Sequence, residues 1–139
     1  MPTKIREHCN TVEECYEFML AYAAQGRSSD ESQKPGGQIR EFLQRAATAI
    51  AELAEECTKA VDEQRLEPAQ KFRAFIAVLD RDAGSSLASI ELVLAQPSIS
   101  SQLVDNLNAS IHLRALLTDT FLLGEILGSQ AARREPTIS

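Results

Sequence analysis

ISSQLVDNLNASIHLRALLTDTFLLGEIL, residues 99 to 127, opens as an amphipathic helical pattern and ends apolar on nearly every side. Ile99, Leu103, Leu107, Ser110, Arg114, Leu117 and Phe121 follow one side of a helix. From Phe121 to Leu127 the run Phe-Leu-Leu-Gly-Glu-Ile-Leu leaves almost no polar face. A helix that is apolar all round has to be covered by something. That requirement organises the reading of the whole chain.

Upstream, Ser98 is placed to cap this helix after Pro97 ends the one before it. That preceding helix starts at Glu67-Pro68, with proline at the tolerated first position. It carries Phe72, Phe75, Ile76, Leu79, Ala83, Leu87, Ile90 and Leu94 on one face, and Gly84-Ser85-Ser86 invites a kink or a close helix contact. Earlier still, Ile39, Leu43, Ala46, Ile50, Leu53, Cys57 and Ala60 alternate four and three apart, the seam of a helix in a bundle. The first helix is read from Thr11, because Thr11-Val12-Glu13-Glu14 fits a capping box, and it stops at Gly26. Residues 1–10 are then a loose N-terminus, 26–37 (Gly-Arg-Ser-Ser-Asp-Glu-Ser-Gln-Lys-Pro-Gly-Gly) a flexible linker, and 130–139 a frayed tail.

The expected fold is all-α: one domain over residues 1–139, an antiparallel four-helix-like bundle of one short and three long helices. A short first helix antiparallel to the second covers only the end near residues 37–50. Cys57, Phe72, Phe75 and the apolar half of the last helix are left at the other end. A second copy of the chain is the simplest cover. The expected homodimer interface is Phe72, Phe75, Leu116, Leu122, Leu123, Ile126 and Leu127, so that Leu123→Glu should split the dimer. Gly124 and Gly128 would permit close approach there.

Charge and composition exclude several roles. The net charge of −6 shows no basic stripe for a phosphate backbone, so no nucleic-acid partner is expected. No apolar run approaches the roughly 20 residues of a membrane span, and the N-terminus has no apolar signal core. No membrane partner and a cytoplasmic location follow as expectations. Cys9, Cys15 and Cys57, odd in number and irregularly spaced, read as free thiols rather than a disulfide framework.

Chemistry is sparse. The best polar constellation is Asp105, Asn108, His112 and Asp119; Asp105, His112 and Asp119 recur every seven residues along one side of the expected helix. Seven residues rise about 10 Å, too far for direct contact, so a solvated stripe is the simpler reading. A zinc set from His8, Cys9, Cys15 and Cys57 is weighed and set aside, because Cys15 and Cys57 lie on apolar faces. No Glu-x-x-His pairs, phosphate loop or nucleophile elbow occur. No catalytic residue, metal or cofactor is therefore expected. The functional expectation is a non-enzymatic interaction protein (adaptor, assembly factor or chaperone-like) binding itself or another protein. The alternative is a small-molecule-binding or sensory bundle with a pocket near Gly84 and Ser86.

Overall fold

A computed structural model describes residues 2–30 and 38–134, with side chains up to residue 129. Five helices and no strand are present among the described residues: α1 Thr3–Ala24, α2 Gln38–Glu63, α3 Ala69–Leu94, α4 Ser101–Asn108 and α5 Ile111–Arg134. Long-range side-chain pairs set their directions. Lys4 lies 4.0 Å from Glu56, His8 3.2 Å from Glu52, and Arg45 3.2 Å from Glu14, so α1 and α2 run antiparallel. Arg73 reaches Asp62 at 2.6 Å, which turns α3 back along α2. Ser86 donates to the carbonyl of His112 at 2.9 Å and Asp82 faces Asp119, so α5 descends along α3.

The α2 seam folds as its spacing requires. Ile39, Leu43, Ala46, Ile50, Leu53, Cys57 and Ala60 are all buried in one continuous core. Glu41, Arg45, Glu52 and Glu55 fall on the outer face, where water solvates their charges.

Three boundaries differ from expectation. First, α1 begins at Thr3 rather than Thr11, and residues 3–10 are helical, not loose. Ile5 and Cys9 continue the buried face of Val12, Cys15, Met19 and Tyr22 toward the N-terminus, and burying them stabilises two more turns. Thr11 is mid-helix; its hydroxyl donates to the Glu7 carbonyl at 2.9 Å and caps nothing. The bundle thus has four long helices, 22, 26, 26 and 24 residues, and one short one of 8.

Second, the last long pattern is two helices. Ser110 Oγ accepts from the Leu113 amide at 3.3 Å and begins α5, while α4 ends at Asn108. Ser110 accepts through its own side chain, and Asn106 and Asn108 are weak helix formers, so the helical pattern is weakest at this point. The cap of α4 is Ser100, accepting from Leu103 at 3.0 Å; Ser98 instead donates to Ser29 Oγ at 2.8 Å.

Third, the start of the expected linker is held, not free. Arg27 N–H donates to Ser101 Oγ at 2.8 Å, and Ser101 N–H returns to the Arg27 carbonyl at 2.8 Å. Asp30 is buried against Arg40 and the Ile99 amide. Residues 31–37 of that expected linker, and 135–139 of the expected tail, lie outside the described residues; residues 130–134 continue α5.

These three changes alter what covers what. α1 packs chiefly on α2 and α4 and touches α5 little. Cys9 and Cys57 act on one another across α1 and α2, so Cys57 lies under α1 and not at an uncovered end. α3 is one continuous helix through Gly84.

Candidate functional site

Where α3 starts and α5 ends, a groove of about 300 Å³ opens between the two helices. It is lined by Pro68, Phe72 and Phe75 from the α3 side, with Leu123 and Ile126 from α5, and rimmed by Glu67 and Lys71. Phe72 and Phe75 are half-buried, turned partly into the core and partly outward. Beside the groove, Val78 on α3 is 40% exposed and Leu122 on α5 is 48% exposed.

The expected interface divides accordingly. Leu122 and Ile126 face water, and Phe72 and Phe75 reach the surface. Leu116, Leu123 and Leu127, at 0%, 2% and 4% exposure, belong to the chain's own core. The three are part of one buried cluster, and a second copy could reach Leu123 only through the floor of the groove. Leu123→Glu would put a charge in that core and unfold the chain, so it cannot report on assembly. Phe121, 58% exposed, and Val78 are surface residues outside the expected interface, although Phe121 heads the apolar run. Val78 comes two residues after buried Ile76 and Phe121 two residues before buried Leu123, and periodicity alone does not separate them from the core.

The polar quartet does not converge. The break at residues 109 and 110 removes the common helix side on which the seven-residue spacing rested. Asp105 and His112 are exposed, and His112 contributes only its backbone carbonyl, to Ser86. Asn108 is buried with an Oδ1 that has no hydrogen-bond partner. Asp119 is buried and faces a group missing from the sequence reading, Asp82 of α3. Burial, reinforced by the Asp82 carboxyl, pushes Asp119 up to about 7. Sequence could not pair them, because the pairing needs the register of two helices.

The cysteines are free and buried. Burial pushes the thiols up, Cys9 to about 11 and Cys15 and Cys57 to about 12, so they stay protonated and poorly nucleophilic. No group of three or more His, Cys, Asp or Glu that could hold a metal occurs among the described residues. Ser86 points into α5, whereas a Cβ added at Gly84 would meet open space, so the two do not frame one pocket. No helix among the described residues is long and apolar enough to cross a membrane. Comparison with family models, with curated proteins and with solved structures found no match.

Proposed function

We propose that this protein is a non-enzymatic helical interaction protein, and that a second copy of the chain is the first partner of its α3–α5 groove. The observation that carries the reading is the groove itself: an apolar opening of about 300 Å³ beside exposed Leu122 and Val78, in a chain where 24% of residues are charged. Apolar surface concentrated at one place marks an interaction site more than scattered exposed leucines do.

Its rim favours self-association. Glu67, just before α3, and Lys71, in its first turn, bring opposite charges to the groove. In a two-fold contact each copy presents the same patch, so Lys71 of each can face Glu67 of the other. Burying Phe72, Phe75, Leu122 and Ile126 supplies the driving force, and the rim pairs supply register. Cytoplasmic residence belongs to the same proposal, supported by three thiols held free in the core.

Light scattering on the wild type, Leu122→Glu and Ile126→Glu tests this. The expected result is a wild-type mass twice the 15.3 kDa of the chain and monomeric variants of unchanged helicity. A wild-type monomer at every concentration overturns the homodimer. A small-molecule function would then remain for the same groove, and would show as ligand-dependent melting of the monomer.

A further inference from the structure

Beyond the groove, the α3–α5 junction brings two carboxyl groups together, with no cation beside them among the described residues. Asp82 of α3 and Asp119 of α5 are within hydrogen-bonding reach of each other. Asp119 is only 8% exposed, and its Oδ2 has no hydrogen-bond partner. A buried, unpartnered oxygen is tolerable on a neutral acid and costly on an anion. Two carboxylates in contact are costly as well, unless one of them holds a proton to donate to the other.

Nothing nearby compensates the charge. Among the described residues, Asp82 is the one charged side chain that acts on Asp119. Along α5 the nearest charges are Arg114 and Glu125, five and six residues away and outside the reach of i±3 and i±4 neighbours. On α3, Arg81 is turned about 100° from Asp82, and Asp80 lines a groove facing Ala54 and Thr58 of α2. α1 and α4, the other helices packed on α5, bring no charge to bear on Asp119. Val78 and Leu122 flank the pair on the groove side, and Ser85 and Ala115 flank it on the other.

We infer that one proton shared between Asp82 and Asp119 clasps α3 to α5, so that the junction is closed in mildly acidic solution and loosened above neutrality. The arrangement gives two carboxyls the neutral-range response that proteins usually draw from histidine. The inference concerns the single chain and stands with or without the homodimer.

The direction follows from proton linkage. Asp119 has its ordinary value of 3.8 in the unfolded chain and about 7 in the folded one. Across that window the folded chain binds the extra proton, so stability falls as pH rises, and the loss is complete above about 7.

Thermal melting of the full chain from pH 5 to pH 8, at a concentration where light scattering shows one species throughout, tests the clasp. Wild type is compared with Asp119→Asn and Asp82→Asn. Asp119→Asn removes the shifted carboxyl and Asp82→Asn the carboxyl beside it, and each keeps a hydrogen-bonding group at the contact. Asp119→Asn is expected to gain on the wild type as pH rises, melting several degrees higher at pH 8; Asp82→Asn, which leaves Asp119 buried, is expected to gain less. A difference that is the same at every pH overturns the clasp, because it reports only packing. If the variants fail to fold, carbon-13 titration of the wild-type aspartate carboxyls decides. A midpoint near 7 for Asp119 supports the shared proton, and one near 4 overturns it. Failure of the homodimer would appear in the mass and leave these titrations unchanged.

Discussion

Asp30 and Asp119 are equally buried, 7% and 8% exposed, yet their carboxyls shift in opposite directions. Burial alone would raise Asp30. The Arg40 guanidinium, 2.6 Å from Oδ2, and the Ile99 amide, 2.8 Å from Oδ1, outweigh it and hold the carboxyl below its usual range. Asp119 meets a second carboxyl instead, and burial wins. The end of the bundle near Asp30 is therefore closed by compensated charges, and the α3–α5 seam by a proton. Burial sets how much an ionisable group matters, and its partner sets the sign.

The loop end is closed thoroughly. Arg40 also donates to the carbonyls of Leu94 and Gln96, at 3.0 and 2.9 Å, satisfying the C-terminal end of α3. The Tyr22 hydroxyl donates to the Ile99 carbonyl at 2.6 Å, and Ser101 Oγ to the Tyr22 carbonyl at 2.6 Å. This network ties α1, the loop after it and the α3–α4 connection into one unit. Asp30→Ala is the largest expected break, because it removes the anionic partner of Arg40 and the acceptor of the Ile99 amide. Losing one partner of a buried pair costs about 3–5 kcal/mol, and Arg40, partly exposed, places this case near the lower figure. Urea unfolding would show it as a lower midpoint with an unchanged slope. A shift below about 1 kcal/mol, the worth of an ordinary surface pair, would mean the loop end is not latched.

The same change of chemistry at the two sites sharpens the contrast. At pH 8 Asp30→Asn is expected to destabilise the chain and Asp119→Asn to stabilise it. The wild type also loses the Asp30 contribution as pH falls below the ordinary carboxyl value of 3.8, since its lowered folded value means that the unfolded chain takes up the proton first. Asp30→Asn should be blind to that acid limb. Tyr22→Phe is milder. It removes one buried donor and leaves the Ile99 carbonyl short of a partner, at a cost of about 1–3 kcal/mol independent of pH between 5 and 8. A Tyr22 loss that changes as pH falls below 3.8 would tie the hydroxyl to the Asp30 titration and merge the two contributions.

What was legible in the sequence was whatever repeats along a helix. The α2 seam was readable because its charges all fall outside the four-three spacing. The true start of α1 was readable too, in Ile5 and Cys9 ahead of Val12, with Pro2 just before the first turn; the Thr11–Glu14 cap pattern obscured it. The break before α5 left a weaker trace, in Asn106, Asn108 and Ser110. The Asp30 latch and the Asp82–Asp119 pair left none. Each joins residues on separate elements, and only the register of packed helices brings them together. The apolar run from Phe121 to Leu127 was legible as needing cover, but not in its division. Leu123 and Leu127 point inward, while Phe121, Leu122 and Ile126 do not.

That division yields the smallest effect on stability and the most selective readout. Leu122 and Leu123 are adjacent and identical in chemistry, yet 48% and 2% exposed. Leu122→Gln removes apolar surface that already meets water, so the isolated chain should change by no more than about 0.5 kcal/mol. Leu123→Ala leaves a cavity under the groove and costs about 2–5 kcal/mol. Paired urea titrations on dilute protein separate the two. A large loss at Leu122 in the monomer would mean that the α3–α5 seam closes over it within one chain, and the groove would then offer a partner far less than its outline suggests. A small loss, with association weakened in concentrated solution, would place Leu122 at a contact made after folding. The neutral glutamine keeps that result apart from the charge repulsion that governs Asp82 and Asp119 one turn away.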